Sequence, residues 1–292
     1  MRIDIRATKP LLRQNYLQHA IAPRPICFAS TIDEEGNINL SPFSFFNLFS
    51  ISPAIVIFSA STRVRDNTYK HTLENVLKIP EVVINIVDYD IVQQTSLAST
   101  EFPKGTNEFV KAGLTQEAAT IVRPPMVKES KVKLECKVIE IKSLGNEGGA
   151  GQLIICEVLI MHIDDSILDS DQMIDQTKLN HVARLGGNWY SRVDSTNLFI
   201  VPKPNRDIGI GIDALPENIR TSEVLTGNDL GMLANVKELP AIDPAFEDED
   251  LKKIVQYYGL NPEEMEREVH LLARKHLSQH MVDAAWQVLL SV

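Results

Sequence analysis

The chain has 292 residues, 44% of them apolar and 23% charged, with a net charge of −10. Such a composition is that of a globular protein with room for one large domain, or a domain plus an appendage, and its acidity argues against a nucleic-acid-binding surface. No apolar run approaches the ~20 residues that span a bilayer, and residues 1–6 lack the apolar core of a signal peptide. Cys27, Cys136 and Cys156 form neither a CxxC motif nor an even disulfide set. A reducing cytoplasm is therefore the expected compartment.

Residues 26–31 read as a strand, and the polar turn Asp33-Glu34-Glu35-Gly36-Asn37 leads to a second one starting Ile38-Asn39-Leu40. Pro42 would disturb a regular strand, so residues 41–47 are expected to form a loop. A strand at 55–59 follows the break at Ser52-Pro53. Then comes a cation-rich loop with Arg63, Arg65 and Lys70, and a helix from Leu73 capped by Thr72. Residues 81–87 make another strand. Val132, Leu134, Cys136 and Val138 alternate with Lys131, Lys133, Glu135 and Lys137, which predicts a half-buried strand with its charged face outward. After a glycine-rich turn at 145–151, residues 153–163 are almost continuously apolar, as in a strand buried on both faces. So many short strands with few helices predict a barrel rather than a doubly wound sheet.

Strand signals then end, and a short helix is expected over 176–184, stopped by Gly186-Gly187. The Pro202-Lys203-Pro204-Asn205 stretch marks a boundary, dividing the chain into 1–203 and 204–292. Residues 208–240 read as irregular. Three helical stripes follow: Leu251, Ile254, Val255 and Tyr258, closed by Gly259; Met265, Val269 and Leu272 behind an Asn261-Pro262 start; and Met281, Ala285, Val288, Leu289 and Val292. Their small size predicts docking on the preceding domain rather than a strong core of their own.

Two segments carry chemistry. Ser41 to Asn47 intersperses three Phe residues with hydroxyls and an amide; it reads either as core packing or as a wall for a flat ring. Arg63, Arg65, Lys70 and Thr72 precede a helix N-terminus, where free amides and the helix dipole favour an anion; the same residues also read as a solvated loop with an ordinary Thr cap. A ligand with both a flat ring and a phosphate suits the pair, and FMN is one. Gly148-Gly149-Ala150-Gly151 lacks the Gly-Lys-Ser/Thr ending of a phosphate loop and reads as a hairpin turn. His19, His71, His162 and His181 show no metal-ligand spacing, and no catalytic dyad stands out.

Taken in order, Pro23-Arg24-Pro25-Ile26, Ser30-Thr31-Ile32-Asp33, Asn39 to Asn47, Lys70-His71-Thr72-Leu73-Glu74-Asn75, Val83 to Val87, Phe102-Pro103-Lys104-Gly105, Ala112-Gly113-Leu114 and Ala183 to Tyr190 resemble the flavin reductase-like family of FMN-binding split barrels. That family includes flavoredoxin and the reductase components of two-component monooxygenases. The resemblance covers roughly residues 8 to 195 and departs where the family often has Lys-Asp-Thr and this chain has Lys70-His71-Thr72. It implies a mainly β fold, a six-stranded antiparallel barrel with flanking helices, here followed by a helical extension. It further implies a homodimer with FMN near the subunit interface. Ser30, Thr31, Ser41, Pro42, Ser44, Phe45 and Asn47 would line the ring and ribityl chain, and Ser59, Arg65, Lys70 and Thr72 would hold the phosphate. The segment from Arg184 to Tyr190 would close over the flavin or the nicotinamide. The implied activity is hydride transfer from NADH or NADPH to FMN, with a monooxygenase or other redox protein as partner. An electron-transfer flavoprotein and a non-enzymatic flavin-binding module are the alternatives. Hydride transfer needs no general acid or base, so no catalytic residue is assigned.

Overall fold

The computed structural model describes residues 1–203 and 208–291, which fall into two compact units, Met1–Phe199 and Ile200–Val292. Pro204 and Asn205 of the expected boundary, and Val292 of the third stripe, lie outside the described residues.

The first unit begins with α1 (Pro10–Ala20), whose proline occupies the first turn, where its missing N–H costs nothing. Then come β1 (Cys27–Ile32), β2 (Ile38–Phe43), β3 (Phe46–Ile51) and β4 (Ala54–Ser59). Helix α2 (His71–Lys78) precedes β5 (Glu81–Ile86), and α3 (Val92–Leu97) and α4 (Glu108–Ala112) follow it. The remaining strands are β6 (Gln116–Glu117), β7 (Met126–Val127), β8 (Val132–Ser143), β9 (Gln152–Ile163), β10 (Val182–Arg184) and β11 (Tyr190–Arg192). Seven strands form one antiparallel sheet in the order β2-β1-β5-β8-β9-β4-β3. One core, with Cys27, Val56, Phe58, Ile84, Cys136 and Cys156, lies on the face that α2 joins through Leu73 and Val76. A second, with Phe28, Leu40, Val87 and Phe109, packs α3 and α4 against the other side.

Four expectations are corrected. The sheet has seven strands rather than six, because residues 41–47 are not one loop: β2 runs through Ser41 and Pro42, and β3 starts at Phe46. Pro42 is accommodated because β2 lies at one end of the sheet order, where one side of the strand needs no donor. Strand β9 is not buried on both faces; Leu159, Met161 and Ile163 are exposed, since nothing in this unit covers the outer face of its second half. No helix spans 176–184: β10 pairs with β11 there, and Gly186 and Gly187 lie in their connection.

Glu135 is the fourth. Placed by alternation on the exposed face of β8, it is fully buried at a bulge. Its carboxylate accepts the amides of Thr120 (2.7 Å), Ile121 (2.7 Å) and Val122 (3.2 Å), and His162 Nε2 lies 2.7 Å away. Burial alone would raise its pKa, but these amides and the His162 ring outweigh that and hold it at about 2. The folded value lies below the ordinary 4.5, so the stabilisation is present above that value and disappears as pH falls towards about 2. Glu135→Ala strands up to three part-buried amides and should lower stability at neutral pH by roughly 1–2 kcal/mol. Thermal melts across pH check this: the gap between wild type and variant should close in acid, and a pH-independent gap would contradict it.

The second unit contains α5 (Glu217–Arg220) and α6 (Gly227–Leu233) in the stretch expected to be irregular. Thr226 and Asp229 form a reciprocal capping box that starts α6. Helices α7 (Glu249–Tyr258), α8 (Pro262–Ser278) and α9 (Val282–Leu290) follow the three stripes, with Asp248 and Asn261 as N-caps of α7 and α8. They enclose a core of their own around Leu225, Leu233, Leu251, Leu272, Leu277 and Trp286. Trp286 is completely buried, and its indole N–H donates to the Leu233 carbonyl at 3.2 Å. The premise that these stripes are too small to bury a core is thus corrected; the α5–α6 stretch supplies the missing layer.

Candidate functional site

Phe43, at the end of β2, is the hub of the candidate site. Its ring packs on Phe58, with centroids 5.3 Å apart, and Phe58 directly precedes Ser59. Lys70 Nζ sits 5.2 Å from the Phe43 centroid. Among the described residues Lys70 has no ion pair; burial first, and then Arg63, hold its pKa below the ordinary lysine value. Lys70 is also the N-cap residue of α2, and no side chain caps that terminus. Thr72, expected to be the cap, instead lies inside the first turn, buried, with its hydroxyl accepting from Asn39 Nδ2 at 2.9 Å. The α2 N-terminus therefore has uncapped amides beside a lysine that makes no ion pair among the described residues, with Glu101 as a more distant negative charge.

Ser59 follows Phe58 at the end of β4, with its hydroxyl lying toward Gly151. Its backbone N–H donates to the Phe45 carbonyl at 2.8 Å, and its buried hydroxyl has no hydrogen-bond partner. Arg63 is nearer the interior than Arg65: their side chains are 16% and 70% exposed. Glu101 contacts both, at 3.4 Å and 3.1 Å, and Arg65 also pairs with Asp66 at 3.0 Å. Arg65 thus lies at the rim with its charge already matched, and Arg63 is the arginine that the loop turns inward.

Thr31 and Thr72 belong to one buried network that clamps α2 onto β1 and β2. Asn75 Nδ2 donates to the Thr31 hydroxyl at 3.1 Å, and Asn39 stands opposite Thr31 in the sheet register. Ser30, next along β1, projects to the opposite face, and its buried hydroxyl has no partner. Ser41 faces Ala29 across the β1–β2 register, and Ser44 and Phe45 form the connection to β3. Asn47 is exposed on β3, its side-chain carbonyl accepting from Leu48 N.

Arg184 and Tyr190 face each other across the β10–β11 pair, with the guanidinium 4.5 Å from the ring centroid. Arg24 exchanges two backbone hydrogen bonds with Arg184, and its guanidinium lies 6.0 Å from the Phe45 ring. The buried Arg24 side chain donates to Gln18, Ile21 and Leu185 carbonyls, tying the end of α1 to the hairpin. Burial, and then the neighbouring Arg184, lower its pKa. A shallow cavity of about 160 Å³ lies beside this hairpin, lined in part by Tyr89, Gln93, Ser191 and Arg192; it touches the predicted set only at Tyr190.

The structure thus joins Lys70 and Phe58 through Phe43, ties the backbone of Ser59 to Phe45, and links Phe45 to Arg184 and Tyr190 through Arg24. It sets Arg65 and Asn47 outside that surface. Arg63 stood in the cation cluster read from sequence but not in the phosphate set that the resemblance implied, while Phe43, Arg24, Asn39 and Asn75 were given no individual role. All lie within or beside the segments singled out, but which of them turns inward depends on register. Among the described residues, no group of three or more His, Cys, Asp or Glu side chains could hold a metal ion, and no helix is long and apolar enough to cross a membrane. What the arrangement offers chemically is an anion cradle beside aromatic surface.

Residues 19–182 match the family model of the flavin reductase like domain, and the chain belongs to that family. An uncharacterized protein of Aquifex aeolicus (strain VF5) is 38% identical over 170 residues, 58% of this chain and 84% of that protein. Among solved structures, nitrilotriacetate monooxygenase component B from Bacillus cereus superposes with a TM-score of 0.64 at 24% identity, over 69% of this chain and 98% of that one. A split-barrel chain from Shewanella frigidimarina NCIMB 400, classed as a flavin reductase, gives a TM-score of 0.59 at 26% identity, over 70% of this chain and 99% of that one. The seven-stranded antiparallel sheet of the first unit is in keeping with that family fold.

Proposed function

We propose that this protein is an FMN-binding oxidoreductase that transfers a hydride from NADH or NADPH to the flavin. The observation that carries the reading is Lys70, a half-buried ammonium on the Phe43 face, without an ion pair among the described residues, beside the uncapped α2 terminus. A terminal phosphate would supply the missing negative charge. Ser59, whose buried hydroxyl has no partner, offers a further donor. In this reading Arg63 adds positive charge, Phe45 and Tyr190 provide surface for rings, and Arg184 is held over Tyr190 at the edge. Bound FMN would supply the redox chemistry, while the protein binds and orients it and leaves one ring face open to the nicotinamide. A titration compares FMN, FAD and riboflavin: FMN should bind tightest, and equal affinity for FMN and riboflavin would overturn the phosphate assignment.

The same reading makes the protein a cytoplasmic homodimer that hands electrons to a monooxygenase or another redox protein. Support for the dimer comes from apolar residues with no cover in this unit, Leu48, Phe49 and Ile51 on β3 and Leu159, Met161 and Ile163 on β9. Light scattering at micromolar concentration should return about twice the chain mass of 32.7 kDa. A clean monomer that still holds FMN would contradict it. All three cysteines are free and buried, in keeping with a reducing compartment.

A further inference from the structure

The loop that carries Arg63 and Lys70 is held from behind by the β8–β9 turn. Thr62 is the centre of that hold. Its hydroxyl donates to the Glu147 carbonyl at 3.1 Å and accepts from Gly149 N at 3.0 Å, while its backbone N–H donates to the Ala150 carbonyl at 3.0 Å. Asn67 Nδ2 adds a bond to the Asn146 carbonyl at 2.8 Å. The approach is close enough to require glycine. A Cβ on Gly148 would lie 2.8 Å from the Val64 carbonyl oxygen and 3.2 Å from that of Arg63, backbone atoms that cannot swing aside. Gly149 adopts a φ of +89°, in the left-handed region that other residues rarely adopt.

The far side of the loop is equally constrained. Arg63 N donates to the Thr68 carbonyl at 3.0 Å and Asn67 N to the Arg63 carbonyl at 2.9 Å, closing the loop on itself. The Arg63 guanidinium reaches the Thr68 hydroxyl at 3.0 Å and the Tyr69 carbonyl, just before Lys70. A displacement imposed at Thr62 or Val64 is therefore passed to Arg63 and onward to Lys70. Thr62 itself is buried, and its side-chain bonds all go to the turn.

We infer that Thr62 and the Gly148–Gly149 turn are positioning elements that set the two cations for a phosphate, and so set the preference for FMN over riboflavin. This rests on the phosphate reading of the site. Each acts through the backbone of residues 62–70. The turn, which sequence alone reduces to a hairpin connection, thereby acquires a part in ligand selection.

The test is titration of FMN and of riboflavin into wild type, Thr62→Ser, Thr62→Val, Gly148→Ala and Lys70→Ala, with amide hydrogen exchange of residues 62–70 in the ligand-free proteins. Thr62→Val and Gly148→Ala should each lower the FMN-to-riboflavin affinity ratio by roughly tenfold or more and speed exchange in the loop. Thr62→Ser keeps the hydroxyl and should keep the wild-type ratio. If Lys70→Ala lowers the ratio while Thr62→Val and Gly148→Ala leave it unchanged, the positioning inference is overturned and the phosphate site stands. If no variant, Lys70→Ala included, changes the ratio, both are overturned. Should Gly148→Ala fail to fold, the Thr62→Val and Thr62→Ser pair decides alone.

Discussion

Lys70→Ala should weaken FMN binding by roughly one to two decades while leaving riboflavin binding nearly unchanged. Among the described residues the ammonium makes no ion pair, so its removal breaks none there, and its ring contact is with Phe43. A charge-assisted hydrogen bond contributes on the order of 1.5–3 kcal/mol, which sets the size of the loss. Riboflavin lacks the phosphate and offers Lys70 nothing to bind. Thr72→Ala is a poorer probe than its place in the sequence suggests. It would leave the buried Asn39 amide without an acceptor, at a cost of about 1–3 kcal/mol in stability rather than in ligand binding. Titration followed by flavin fluorescence separates the two variants. Equal losses for both flavins on Lys70→Ala would remove the phosphate from this site.

The second large effect belongs to the helical unit. Trp286→Ala removes its largest fully buried side chain and leaves the Leu233 carbonyl without its indole donor. Large-to-small changes of this kind cost about 3–5 kcal/mol, comparable to the whole stability of a small domain. Because the core is contained within residues 208–291, that segment produced by itself should show helical circular dichroism and one cooperative melt, and Trp286→Ala should abolish the melt. A chain ending at Lys203 tests the docking expectation separately. If the helices dock on the barrel, the shortened chain melts lower and loses solubility; an unchanged melting temperature would mark them as an independent appendage.

Much of the site was legible because its residues cluster in the chain. Lys70 and Thr72 stand at a helix start, and Ser41 to Asn47 carries the aromatics, so both segments could be marked from residue type alone. What sequence could not supply was direction. Ser30 and Thr31 are adjacent, yet they project to opposite faces of β1, and nothing in their identity says which is inward. Arg63 and Arg65 are chemically equivalent and both meet Glu101; the hydrogen bonds to Thr68 and Tyr69 turn one inward, while Asp66 holds the other at the rim. Local rules also misled where tertiary context overrode them. Pro42 looked like a strand breaker and is tolerated at a sheet edge, and Glu135 looked solvent-facing until a loop from residues 120–122 covered it with amides. The helix expected over 176–184 gave way to a hairpin because Val182 and Tyr190 to Arg192 found backbone partners in each other.

The most direct measurement is the visible spectrum of the purified protein, loaded with FMN and freed of excess by gel filtration, before and after NADH or NADPH is added without oxygen. The account predicts that the flavin band travels with the protein and bleaches with one of the two nicotinamides. A protein that stays colourless after incubation with FMN, or one whose bound flavin stays oxidised with both donors, would contradict it.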